Sequence, residues 1–460
     1  MDERDWTEWA GAFAAYHARF APHFARSEAR ERSARYLCGL LGSVERKNGW
    51  QLAEAAGEDD PAGMQRLLYE AVWDADAVRT SYAAFVVETF GDPAAVLVLD
   101  ETGFLKKGTK SVGVARQYSG TAGKVENCQV GVFLAYVAAT GQVLLDRRLY
   151  LPQAWVDASD RRQAARVPEA VTFQTKPELG LAMLDAARAQ AVPHAWVTAD
   201  EGYGSAPAFL AALEERGERY VIAVPKTTLV WPQTTRLVPG PGTLHILHAP
   251  QPAPEPVAQV VAGWDAGVWQ RLTVGAGAKG PRVDDWAAVQ VVASRDQWPG
   301  PTLWLLVRRS VTNPDDLAYY LADAPADTPL AVLAQVAGRR WPVEHCFEEA
   351  KGETGLDQYE VRGWPSWHRH ITLSLLAHGF LASRRRAVGE KGGDGRPGAG
   401  GGAGPAQRAG SAPPPGADLA APGGVGSVSP GLVALAARPS RARQALPLRP
   451  HAPIGRHPAR

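Results

Sequence analysis

Ala95-Val96-Leu97-Val98-Leu99-Asp100 is the stretch from which the rest of the chain is best read. Five consecutive apolar residues closing on a carboxylate have the pattern of a buried central strand with its polar group at the C-terminal end. One hundred positions later, Ala195-Trp196-Val197-Thr198-Ala199-Asp200 repeats the pattern. Side chains at the C-terminal ends of adjacent central strands converge, and open α/β sheets place their ligands there. With a third acid from a neighbouring helix, Asp100 and Asp200 make an oxygen cage of the kind Mg²⁺ prefers. Two such ions held ~4 Å apart serve in-line phosphoryl transfer.

Outward from these strands the pattern changes several times. Trp6 to Phe90 has apolar residues at spacings of three and four, hence helices. Within it, residues 51–57 and 63–68 read as helix, turn, helix, with Asp60 as N-cap and Pro61 at the first helical position. A DNA-reading helix-turn-helix and an ordinary αα-hairpin share that signature. Strands are expected over 112–119, 129–138, 143–151 and 219–224, and helices over 178–190 and 206–216. From Pro225 to Asp327, short Val-, Thr- and Trp-rich runs between Pro and Gly turns predict a β-rich insertion. Helical periodicity resumes at Leu330 and continues to about Arg386.

The charge balance conceals a break. The 460 residues carry 49 Lys and Arg against 48 Asp and Glu, which by itself argues against a wholly basic nucleic-acid binder. From Gly389 onward, however, nine cationic residues face three acids, leaving +6 there and −5 in the preceding body. No aromatic residue follows Phe380, and this Gly/Pro/Ala/Arg-rich tail has the composition of a disordered segment. Three widely separated cysteines form neither a disulfide framework nor a metal knuckle, which fits a reducing cytosol. The start of the chain lacks a basic-then-apolar signal, and the apolar run near Val130–Thr140 is too short to span a bilayer. A cytoplasmic protein without membrane contact is the expectation.

A third acid comes from Arg339-Arg340-Trp341-Pro342-Val343-Glu344-His345-Cys346-Phe347-Glu348-Glu349-Ala350-Lys351-Gly352. Glu344, Glu348 and Lys351 fall on one helical face, suiting a metal site that also holds a phosphate; a solvated, charge-laced helix has the same pattern.

Four blocks together resemble the DDE transposases of the IS701 family, within the IS4-related group. They are Leu99–Gly108, Ala115–Gln129, Thr198–Gly204 and the Arg340–Lys351 helix. The wider group has a Tyr-x2-Arg-x3-Glu-x6-Lys signature, matched by Arg340, Glu344 and Lys351, with Ala337 in place of its Tyr. That register makes Glu344 the catalytic glutamate rather than Glu348 or Glu349. The resemblance implies an RNase H-like mixed sheet flanked by helices, an α/β fold with an N-terminal helical domain and a β-rich insertion. Its divisions are 1–90 (helical, DNA-end binding), 91–224 (first part of the catalytic domain), 225–327 (insertion), 328–388 (helical remainder) and 389–460 (tail).

It also implies metal-dependent DNA cleavage and strand transfer at transposon ends. Asp100, Asp200 and Glu344 then ligate two Mg²⁺ or Mn²⁺ ions, and Arg340 and Lys351 hold phosphates near the scissile bond. The partners implied are terminal inverted repeats and target DNA, with a DNA-dependent homodimer pairing two ends. Lys106, Lys107 and, around the Ser119–Gly123 loop, Arg116 and Lys124 are further candidates for DNA-backbone contact. The alternative is a catalytically defective or domesticated DNA-binding repressor derived from such an element. The tail gives that reading weight, because it resembles GC-rich DNA translated in a shifted frame. His368, His370 and His378 lack Cys partners at zinc spacing, and no structural zinc is expected.

Overall fold

The computed structural model describes residues 3–232, 237–239, 245–247, 253–277, 280–296 and 298–393. Its centre is a mixed sheet of β1 (Val96–Leu105), β2 (Ala115–Ser119), β3 (Lys124–Ala138), β4 (Gly141–Leu149), β5 (Trp196–Ala199) and β6 (Tyr220–Val224). β3 runs antiparallel to β1 and carries β2 and β4 on its other edge, whereas β5 and β6 join the far side of β1 in parallel. The resulting order, β4-β3-β1-β5-β6 with three antiparallel strands followed by two parallel ones, is an RNase H-like topology.

Asp100 does not end its strand. The polar run Glu101-Thr102-Gly103 stays extended because β3 pairs with β1 as far as Leu105↔Cys128, so the apolar pattern stops before the strand does. What ends beside Asp100 is the parallel ladder, whose last pair is Leu99↔Ala199. Asp100 and Asp200 therefore follow directly on a hydrogen-bonded pair of adjacent strands. β3 from Cys128 to Ala138 is buried throughout, as its continuous apolar run demands.

Residues 229–323 hold β7 (Leu229–Pro232), β8 (Leu237–Pro239), β9 (His245–Leu247), β10 (Glu255–Pro256), β11 (Gln270–Gly277), β12 (Gly280–Arg295), β13 (Trp298–Ser310) and β14 (Leu317–Asp323). β8 and β9 pair with each other as a separate two-stranded sheet, but the other strands do not form a detached β layer. β14 pairs antiparallel with β6 and is followed by β13 and β12, so the central sheet continues into this segment as twelve strands.

Helices cover the sheet. The 30-residue helix Trp364–Gly393 packs over β4 and also receives the N-terminal helices Glu3–Ala18, Ser27–Leu41, Ala62–Tyr69 and Ala75–Phe90, while Gly49–Ala55 packs on Ser27–Leu41 and Ala62–Tyr69. The Tyr16 hydroxyl donates to the Leu376 carbonyl at 2.8 Å, the Tyr36 hydroxyl lies 2.8 Å from His370 Nδ1, and Arg369 donates to the carbonyls of Leu68 and Trp73. Asp60 caps the turn between the 49–55 and 62–69 helices by accepting from the Ala62 amide at 2.7 Å. Met64, Leu67 and Leu68 are buried by this docking. The last helix runs five residues into the segment read as a tail; the remaining tail, 394–460, lies outside the described residues. Among the described residues no helix is long and apolar enough to cross a membrane.

Candidate active site

Asp100 sits largely buried on β1, where its Oδ1 accepts from the Glu101 amide at 2.7 Å. Burial pushes its carboxyl up to about 7; Arg340 opposes the rise and the neighbouring Asp200 adds to it. Asp200 caps the short Glu201–Gly204 helix and accepts from the Gly202 amide at 2.9 Å. The helix packs tightly on β6: a Cβ at Gly204 would lie 1.9 Å from the Ala223 carbonyl oxygen. Gly204→Ala is therefore expected to lift this turn off the sheet, costing roughly 2 kcal/mol or more. Chemical denaturation checks the loss, and an unchanged midpoint would show that the turn gives way freely.

Glu344 lies in the first turn of Pro342–Thr354, with a half-exposed side chain. Phe347 packs edge-on against Phe133 of β3 at 5.3 Å, and Val343, Cys346 and Ala350 are buried, so the helix is clamped to the sheet face that carries Asp100. Arg340 links the acids: Nη1 lies 3.4 Å from Asp100 Oδ2 and Nη2 lies 3.3 Å from Glu344 Oε1. The other two glutamates of the helix are engaged elsewhere. Glu348 is exposed and faces His345 at 3.4 Å. Burial opposes ionisation of Glu349, but His378 and Arg385 outweigh it and hold the carboxyl at about 2.

The remaining sequence-selected cations divide into two groups. Lys351 is partly buried, its Nζ 2.7 Å from Thr102 Oγ1 and 3.0 Å from Thr121 Oγ1; this desolvation lowers its pKa. Lys106 turns inward over the Tyr359 ring at 3.6 Å and donates to the Tyr359 carbonyl, and burial brings its ammonium down to about 8. Lys107, Arg116 and Lys124 are exposed, Lys124 paired with Glu126 at 2.9 Å. Arg116 and Tyr118 of β2 pair with Asn127 and Val125 of β3, which places them on the same sheet face as Asp100.

Sequence reasoning missed the Lys176–Glu101 ion pair beside Asp100 and the threonine seat of Lys351, because neither has a spacing signature. Trp231 and Trp286 are core residues, and the Trp304 indole donates to the Pro325 carbonyl. His368 and His370 are buried among aromatic rings, which pushes both below the usual imidazole range, to about 3 and about 4. Among the described residues no three His, Cys, Asp or Glu side chains gather closely enough to hold one ion, and Arg340 stands between Asp100 and Glu344. A cleft of about 610 Å³, lined by Trp73, Arg148 and Trp364, touches none of the three acids.

Comparison with known proteins finds similarity at the level of family, sequence and structure. A family model described as DDE superfamily endonuclease matches residues 19–281, a range that includes Asp100 and Asp200 and stops short of Glu344. A protein of Microchaete diplosiphon, described as a probable transposase for insertion sequence element IS701, is 28% identical over 189 residues, which is 40% of this chain. The match spans 46% of that relative, about half its length. Among solved structures, the piggyBac transposase synaptic complex with hairpin DNA aligns over 79% of this chain and 67% of its own, at 11% identity and a TM-score of 0.39.

Proposed function

The chain belongs to the DDE superfamily of endonucleases, and from that premise we propose that it is a transposase acting at the terminal inverted repeats of an insertion sequence. In this reading it cleaves DNA strands and transfers them to a target, with Asp100, Asp200 and Glu344 as ligands of two Mg²⁺ or Mn²⁺ ions. The observation that carries it is the meeting of Asp100 and Asp200 at the end of the parallel ladder, with the Arg340 guanidinium between Asp100 and Glu344. The donor set is entirely carboxylate oxygen, the hard set such ions take. A cation already stands between two of the three acids, so positive charge fits there. Bound ions would polarise the scissile phosphate and activate a water or a 3′-hydroxyl.

The chain's own residues do the positioning. Arg340, released from the carboxylates, is within reach of a phosphate, where a guanidinium fork binds in bidentate fashion. Lys351, seated on Thr102 and Thr121, is held ready as a fixed cation beside β1. Lys107, Arg116 and Lys124 offer exposed charge for backbone contacts, while Lys106 braces their segment against Tyr359. The helices of residues 1–90 serve end recognition, and the active form is a DNA-dependent dimer.

The test uses the full chain, Mg²⁺ and a duplex bearing the terminal repeat that flanks its own gene. Asp200→Ala and Glu344→Ala should bind the duplex as the parent does and leave it uncut. Cutting at the parental rate by either variant would sink the assignment. Cleavage without strand joining would indicate an RNase H-like nuclease instead, and a parent that binds without cutting would indicate a defective copy.

A further inference from the structure

A second cleft, of about 460 Å³, opens where β11 and β12 meet the turn into the glutamate helix. Arg282, Arg339 and His345 line it together with Thr273, Gln335 and Trp341, and its wall contains no Asp or Glu. The lack of acids is local. Among the described arginines of residues 225–327, Arg271, Arg295, Arg308 and Arg309 each hold a carboxylate, at 3.0, 2.6, 3.3 and 3.2 Å. Arg282 instead lies over the Trp341 ring at 4.3 Å and has no carboxylate partner among the described residues. Arg339 is exposed and likewise has no ion-pair partner among them. The cleft is also built rather than loose: a Cβ at Gly338 would stand 2.7 Å from the Val274 carbonyl oxygen, so β11 and the end of the Leu330–Gly338 helix touch backbone to backbone.

Arg339 and Trp341 flank Arg340, which holds Asp100 and Glu344, so the cleft borders the carboxylate site on the side of the insertion. Unneutralised guanidiniums are the groups that recognise phosphate, and an aromatic floor fixes the orientation of one of them. We propose that this cleft is a DNA-backbone site that takes one or two consecutive phosphates of the strand leaving the carboxylates toward the insertion, with Arg282 and Arg339 as its contacts. The proposal rests on the DNA-processing reading above and adds to it the path of the strand and two residues outside the family signature.

Binding of the full chain to a duplex without metal, in EDTA, across a salt series tests it. Arg282→Gln and Arg339→Gln should each reduce the slope of log K against log salt by about 0.9, and the double variant by about twice that. The losses should be alike for duplexes of unrelated sequence, because phosphates carry no base information. Arg282→Lys keeps the charge and should retain the parental slope; a loss equal to that of Arg282→Gln would overturn the contact role. Arg339 has no ion-pair partner to lose among the described residues, so its variant should fold as the parent does and isolates the charge. If the parent itself shows no salt-steep binding, the DNA-processing reading falls and the cleft with it. If the parent binds steeply and the double variant matches it in slope and affinity, the cleft proposal alone falls.

Discussion

Asp100→Asn is expected to stop DNA cleavage while raising the stability of the metal-free protein at pH 8. The two effects have one origin. The Asp100 carboxyl is buried beside Asp200, which pushes it up to about 7 from an unfolded value near 3.8. A group whose folded pKa is raised favours the fold fully below its unfolded pKa, and that contribution is lost as pH rises through the folded one. Between about pH 4 and pH 7 the parent in EDTA should therefore lose stability on the order of a few kcal/mol, since each pK unit is worth about 1.4 kcal/mol. Asparagine cannot ionise and escapes this loss. Cleavage should fall by about 10³-fold, on the scale of removing a group that stabilises transition-state charge. Thermal melts in EDTA at pH 5 and pH 8, run beside a cleavage assay, read both. Equal destabilisation of the variant at both pH values would show that Asp100 is a packing residue and not a strained carboxylate.

Asp146→Ala should be the most destabilising single change on the β4 edge. Asp146 follows the slip in register between β3 and β4 and pairs with Arg79 of the Ala75–Phe90 helix. Its neighbour Arg147 is wholly buried, with Nε and Nη2 unpartnered, and its other carboxylate contact is Asp76 at 2.7 Å. Burial already pulls Arg147 below the usual guanidinium range. Removing Asp146 leaves two guanidiniums in the core with a single carboxylate between them. Breaking a buried pair by deleting one partner costs about 3–5 kcal/mol, because the remaining charge stays desolvated. Glu344→Ala, at a half-exposed position, should change stability by no more than about 0.5 kcal/mol. Urea unfolding of both variants at equal slope makes the comparison; a loss below about 1 kcal/mol for Asp146→Ala would mean that water reaches these arginines.

The central strands were legible because burial leaves a local trace. Leu97–Leu99 and Trp196–Ala199 read as buried strands and are buried, and the run through Val130–Ala138 forms most of β3. The family spacing singled out Glu344 and Lys351 from one helix, since residues within a helix keep fixed offsets, and Arg340 from the turn that leads into it. Partners and orientations were not legible. Lys106 and Lys107 are adjacent in sequence, yet one stacks on Tyr359, 253 positions away, while the other is exposed. Lys351 reaches hydroxyls on β1 and on the loop after β2, and Arg340 settles on two carboxylates, one of them 240 positions distant.

By itself, then, the amino-acid order determined which segments are strands and helices and which acids and bases stand at chemically useful spacings, because period and offset are properties of a few consecutive residues. Only the tertiary structure decided that Asp100 lies within its strand, that the insertion prolongs the central sheet through β14 and β6, and that Arg282 lies over Trp341 without a carboxylate partner among the described residues. Each of those depends on pairing and charge compensation between residues far apart in the chain, and a long cationic side chain takes whichever partner the fold brings within reach.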